Sequence, residues 1–176
     1  GSEMCIRDRA DLDYCFAPLK QARLDYMVQK ATEMGAGRLL PVITHRTQMR
    51  RVNEGRLRAN AIEAAEQCGI LTVPQVDAAV TLPVFLADFP RERLLVFCDE
   101  DAEIVNPAEA LGGCSSNGIS VLIGPEGGFD DEERAAVSRL PNVARLSLGP
   151  RILRADTAAV AALTIVQAVL GDWREP

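Results

Sequence analysis

No apolar run in this chain reaches the length that crosses a membrane; the longest, residues 158–170, is interrupted by Thr164 and Gln167. No secretory signal is visible at the start. There is one histidine, His45, and nothing around it resembles a nucleophile motif, which argues against a Ser-His-Asp or Cys-His site. The five cysteines (Cys5, Cys15, Cys68, Cys98 and Cys114) form no C-x-x-C pair, so neither a disulfide framework nor a zinc site is expected. They read as reduced thiols, packed as small core hydrophobes in a cytoplasmic protein. The chain has no G-x-x-x-x-G-K-[ST] loop and no G-x-G-x-x-G fingerprint, which removes two common ways of cradling a nucleotide's phosphates. Positive charge is also short. A net charge of −6 over 176 residues argues against a protein that binds nucleic acid over its whole surface.

What is present is enough for one well-packed domain. Hydrophobic residues make up 48% and charged residues 25% of the chain. Gly1-Ser2 reads as the remnant of a cleaved tag. Apolar strand-like runs at 14–17, 39–44, 94–98, 119–123 and 144–148 alternate with helical patterns, and a shorter run stands at 73–76. Leu24, Met27, Val28, Ala31 and Met34 fall at helical spacing, with Gly35 and Gly37 at the exit. Leu57, Ala61, Ala64, Ala65 and Cys68 line one side of a second helix that stops at Gly69. Thr81 is placed to cap a short helix through Ala87, and residues 112–118 form the loosest stretch. Continuous apolar strands between helices predict an α/β fold, a mostly parallel sheet with helices on both faces.

Two loops carry the chemistry. One strand runs directly into Gly124-Pro125-Glu126-Gly127-Gly128, and Asp130 with Glu133 then makes a capping box for the next helix. Glycines here let the backbone turn tightly and let a ligand approach main-chain atoms. Ligands of open α/β sheets bind beyond the carboxyl ends of strands, where this loop lies. A second strand ends in Leu148-Gly149-Pro150, followed by Arg151-Ile152-Leu153-Arg154. That segment joins an apolar surface suited to an adenine ring with cations suited to phosphate or a developing oxyanion. The helix over 158–170 is apolar almost all round, so it is expected to pack on the sheet and on a second subunit, as a homodimer. Between 46 and 58, five arginines stand against one acid, Glu54, a local charge of +4. This is either an RNA-phosphate edge, with Arg46, Arg50, Arg51 and the separate Arg151 as candidates, or a solvated surface. The acids Asp99, Glu100, Asp101 and Glu103 are read as solvated or capping, and no metal is expected.

Residues 123–129 (IGPEGGF) and 148–158 (LGPRILRADTA), with the earlier stretches 28–35 (VQKATEMG) and 63–69 (EAAEQCG), resemble the ribosomal RNA small subunit methyltransferase E family. The resemblance covers roughly residues 14–173. It implies a SPOUT-type sheet with a C-terminal trefoil knot, a rare exception to general topology rules. It also implies S-adenosyl-L-methionine as cofactor, a homodimer, and methylation of uracil N3 in 16S ribosomal RNA of the small ribosomal subunit. The cofactor is expected against Phe97; against Leu122, Ile123, Gly124, Pro125, Glu126, Gly127 and Gly128; and against Leu146, Ser147, Leu148, Gly149, Ile152, Leu153, Thr157 and Ala158. Family members carry an additional N-terminal PUA-like domain that helps bind RNA, and residues 4–13 do not resemble it. The expected division is a leader over 1–13 and a SPOUT domain over 14–173, without the PUA-like domain. Transfer to N3 expels a proton and spreads charge onto the ring oxygens. Arg154 is the candidate for stabilising that anion, and Glu126 for orienting the base or taking the proton. Two other readings stand beside this one. One is a knotted domain that holds adenosylmethionine or RNA without turnover; the other is an unrelated α/β nucleotide-binding enzyme.

Overall fold

The apolar runs become strands of a sheet in which every pairing is parallel. The structure is a computed structural model and describes residues 10–174; Gly1, Ser2 and Cys5 lie outside them. In chain order the elements are β1 (Asp11–Phe16), α1 (Gln21–Glu33), β2 (Arg38–Ile43), α2 (Glu54–Gln67), β3 (Gln75–Val76), β4 (Val80–Thr81) and α3 (Leu82–Asp88). There follow β5 (Leu94–Cys98), α4 (Pro107–Gly112), β6 (Gly118–Ile123), α5 (Asp131–Ser138), β7 (Val143–Leu146) and α6 (Ala155–Val169). The seven strands are ordered β3-β2-β1-β6-β5-β7, with β4 also pairing β2. Among the described residues no helix is long and apolar enough to cross a membrane.

Pleating splits the strands' side chains between two cores. Leu12, Tyr14, Phe16, Val96, Val121 and Ile123 face a cluster completed by α1, α2 and α6. Cys15, Leu95, Phe97 and Leu122 face the other way, against Leu82 and Phe85 of α3 and Val137 of α5. The chain ends by returning from the β7 edge, so that α6 packs on α1, α4 and β6.

Several boundaries differ from the sequence reading. β1 starts at Asp11, ahead of residue 14, because its early residues already pair with β6 (Asp11 opposite Gly118). Its acids are met by Arg93, which lies 2.9 Å from Asp11 and 3.1 Å from Asp13. β7 ends at Leu146 rather than 148, and α4 fills residues 107–112, where the sequence reading set no element. Cys68 is exposed at the C-cap of α2 instead of buried with Leu57 and Ala61.

Candidate functional site

Three strand ends, those of β5, β6 and β7, open into one cleft of about 400 Å³. The two glycine loops follow strands that are not neighbours, because β5 lies between β6 and β7. The floor is Cys98, Ile123 and Leu146, one from each strand end. One wall is Gly124, Pro125, Glu126, Gly128 and Phe129; the opposite wall runs from Ser147 to Ala155, with Ala158 behind it.

The first wall is held from several directions. The capping box forms in full: Asp130 accepts from the Glu133 amide at 2.8 Å, and Glu133 accepts from the Asp130 amide at 3.1 Å. Phe129 is buried and meets Phe97 edge-on, ring centroids 4.9 Å apart. Gly128 has φ +72°, a conformation side chains other than glycine's rarely adopt. Glu126 lies 3.4 Å from Arg23 of α1, whose other terminal nitrogen is 3.2 Å from Asp156 at the start of α6. Burial opposes the charge of Asp156, but the Arg23 hydrogen bond and charge outweigh it and hold the carboxyl below its ordinary range. The Nε of Arg23 is buried without a partner among the described residues.

At the edge of the cleft, which it helps to line, Asp99 is almost fully buried and accepts from Arg134 Nε at 3.0 Å and from Arg145 Nη2 at 2.6 Å. Burial works against its charge. The Asp101 amide and the two guanidinium groups prevail, so its carboxyl sits below the ordinary range. Its oxygens are therefore engaged by cations, the opposite of a metal ligand awaiting an ion. A separate trio, His45, Asp130 and Glu132, has ligand atoms within 4.8 Å of one another, but Asp130 is already engaged as a helix cap. Burial and then the Asp99 charge push the Cys98 thiol up to about 12, which disfavours its thiolate form.

Most of the residues expected at the cofactor come together here. Ile123, Gly124, Pro125, Glu126, Gly128, Leu146, Ser147, Leu148, Gly149, Ile152, Leu153 and Ala158 all line the cleft, and so do Arg151 and Arg154. Phe97 and Leu122 do not. They precede Cys98 and Ile123 by one residue, so the pleat turns them into the opposite core. Gly127 faces Arg46 instead of the cleft. Thr157 lies in a separate groove with Tyr26 and Val160, between α1 and α6. Arg50 donates to the carbonyls of Thr44 and His45, and Arg51 is exposed. Sequence reasoning missed Arg23, which gives no local signal because Glu126 and Asp156 lie more than a hundred residues away. It also missed Cys98, Asp99 and Glu100 as cleft residues, although their place at a strand's carboxyl end pointed there.

The model of the RNA methyltransferase domain family matches residues 7–167 of this chain, starting ahead of the boundary expected at 14. Ribosomal RNA small subunit methyltransferase E of Rickettsia conorii is 34% identical over 168 residues, covering 95% of this chain and 68% of that protein. The chain belongs to the ribosomal RNA small subunit methyltransferase E family. The member from Mycobacterium bovis is 32% identical, covering 88% of this chain and 62% of its own length. The chain thus spans about two thirds of the length of these relatives. A crystal structure of the family member from Neisseria gonorrhoeae, bound to S-adenosyl methionine, superposes with a TM-score of 0.83 at 28% identity. That likeness covers 93% of this chain and 68% of the other, so the fold is that of the family's SPOUT-type domain.

Proposed function

We propose that this chain transfers a methyl group from S-adenosylmethionine to uracil N3 of 16S ribosomal RNA, in the cytoplasm. The carrying observation is the cleft at the ends of β5, β6 and β7, walled by two glycine-proline loops and edged by Arg151 and Arg154. Its residues fit the donor. Ile123, Leu146, Leu148, Ile152 and Leu153 offer an apolar bed for a purine, and the glycines expose main-chain groups to its polar edge. The related structure from Neisseria gonorrhoeae holds this compound. When bound, the donor supplies an electrophilic methyl group.

The chain's residues do the rest. Glu126, oriented by Arg23, takes the N3 proton directly or through water. Arg154 has no acidic partner among the described residues, because Arg23 occupies Asp156. Its guanidinium is free to face the charge that develops on the uracil oxygens as the N–H bond breaks and the N–CH3 bond forms. Arg151 and Arg51 contact phosphate, and the base is unstacked to reach the cleft.

The methyltransferase domain runs over residues 11–173, with the segment after β7 threaded as a trefoil knot. Supporting this, α6 returns from the sheet edge to pack beneath β6. A second copy covers the groove of Ala22, Tyr26, Val160 and Ala161, where Tyr26 is 46% exposed.

Calorimetry with adenosylmethionine and its demethylated product, followed by methylation of isolated small ribosomal subunits, tests the reading. Donor binding plus tritium transfer to 16S RNA is the expected result. Binding without transfer would identify a holding domain, and preference for NAD or ATP would identify another nucleotide enzyme.

A further inference from the structure

Arg46 belongs to an arginine-rich loop whose pattern suggests phosphate contact, yet its side chain, though exposed, lies against the loop after β6. Nη1 donates to the carbonyl of Gly127 at 2.8 Å and reaches that of Phe129 at 3.5 Å. Its aliphatic stem lies against Gly127, where an added Cβ would stand 3.3 Å from Arg46 Cδ. The neighbouring His45 amide donates to Glu133 Oε2 at 3.1 Å, so the same loop also grips the cap of α5. The loop is itself braced: Thr47 Oγ1 accepts from the Thr44 amide at 2.9 Å, and Arg50 donates to the carbonyls of Thr44 and His45. A rigid support therefore meets the outer side of residues 124–129, while Gly124, Pro125, Glu126, Gly128 and Phe129 line the cleft on the inner side.

We infer that Arg46 is a positioning residue for the methyl-donor loop and not a phosphate contact: by holding the Gly127 and Phe129 carbonyls it fixes the wall of the cleft. The inference rests on the proposed function for the identity of the ligand. The physical argument is one of preorganisation. Residues 124–128 carry three glycines, so the free loop has many backbone conformations to lose on binding. A charge-assisted donor to its outward carbonyls removes that freedom beforehand. Both carbonyls are met by the one nitrogen Nη1, which carries two N–H donors held in the guanidinium plane, whereas lysine offers a freely rotating point donor.

The test uses the full chain with Arg46→Ala, Arg46→Lys and Arg51→Ala, each checked for an unchanged circular dichroism spectrum. Arg46→Ala should weaken adenosylmethionine binding by about tenfold, the equivalent of losing one to two such hydrogen bonds. Arg46→Lys should recover part of the loss. Amide exchange should rise across residues 126–129 in the alanine variant, with β6 unaffected. For binding of 16S RNA, the slope of log affinity against log salt should stay at the wild-type value in Arg46→Ala. In Arg51→Ala it should fall by about 0.7–0.9, as for one lost phosphate contact. Wild-type donor affinity in a folded Arg46→Ala overturns the inference while leaving the proposed function standing. So does a reduced salt slope in that variant. Exchange that rises throughout the sheet, with no recovery by lysine, would mark Arg46 as a general stabilising residue and also overturn it. A wild-type chain that binds no adenosylmethionine removes the proposed function, and this inference with it.

Discussion

The two glycine-proline loops share a sequence pattern and a position at strand ends, yet they are built to opposite specifications. Residues 124–130 are tied down by Arg46, by the capping box and by the burial of Phe129. Residues 147–154 are barely held. The one side-chain hydrogen bond within them is Ser147 Oγ to the Gly149 carbonyl at 3.2 Å, and Arg154 caps α6 without a side-chain bond. Ile152 is 88% exposed. An isoleucine so placed gains on the order of 1.5–3 kcal/mol if a ligand covers it fully. One wall of the cleft is thus preorganised and the other is completed by what it binds. Under the proposed function recognition would divide accordingly, with shape set by the first loop and closure, charge and substrate contact by the second.

The largest expected effect is at the rigid wall. A Cβ on Gly124 would stand 2.6, 2.9 and 3.1 Å from three atoms of the Phe129 ring, which is buried and cannot swing away. Gly124→Val should therefore cost about 1–3 kcal/mol through overpacking and abolish measurable donor binding. Denaturant titration and calorimetry read both quantities. Normal donor affinity in this variant would break the contrast between the loops at its firmest point.

Arg154 probes the open wall, and the signature should be inverted. Arg154→Ala removes no ion pair among the described residues, so melting temperature and adenosylmethionine affinity should stay near wild type. Turnover on small subunits should fall by ~10²–10³ if the guanidinium stabilises the uracil anion. Arg154→Lys should restore only part of it. Near-normal turnover removes Arg154 from the mechanism, and a joint loss of stability and affinity would mean it holds the fold instead.

How far the sequence foretold this division depends on range. The strand at 94–98, the helix at 21–33 and the capping box at Asp130 are local patterns, and they were legible because spacing and cap chemistry act within a few residues. Which way each residue of an all-apolar strand points was not. Phe97 and Cys98 are equally compatible with either face, and only the packing of α3 and α5 decides that Phe97 looks away from the cleft. Long-range partners were the least legible. Arg46 read as a candidate phosphate contact and Arg23 gave no signal, because the groups they serve are 81 and 103 residues distant.

Gly149 sharpens the contrast further. Its φ is +97°, yet an added Cβ would meet nothing within 4 Å. The φ strains any side chain there, and because Gly149 lines the cleft, a bulky one would also stand where the proposed ligand approaches. Gly149→Ala should strain the loop by about 1–2 kcal/mol, and because the loop is free to shift, donor affinity should drop only about tenfold. Loss as complete as that of Gly124→Val would show the second loop to be as rigid as the first.

The smallest effect concerns the tie between the β2–α2 connection and the cap of α5. His45 Nδ1 and Asp130 Oδ2 are 2.5 Å apart. The hydrogen bond to Asp130, then the charge of Glu133, raises the His45 pKa above its ordinary 6.5. Glu132 adds to the rise, and slight desolvation opposes it. Asp130 shifts the other way, below its ordinary 3.8, through the His45 hydrogen bond and the Glu133 amide. Below pH 6.5 the imidazole is protonated in folded and unfolded chains alike, and its stabilising contribution is complete. That contribution is lost as pH rises through the raised folded-state value. The Asp130 contribution is complete above 3.8 and is lost as pH falls through its lowered value. The pair should therefore stabilise the loop most between pH 4 and 6.5, within the window those two ordinary values bound. His45→Gln keeps the backbone bond to Glu133 and removes the titration. Because the pair is exposed, the difference in melting temperature between wild type and variant should be under about 2 °C at its maximum. It should shrink as the pH is raised from 6 through the raised His45 value. A difference that is flat across that range, or that grows with pH, would show that the pair adds no pH-dependent hold on the rigid wall.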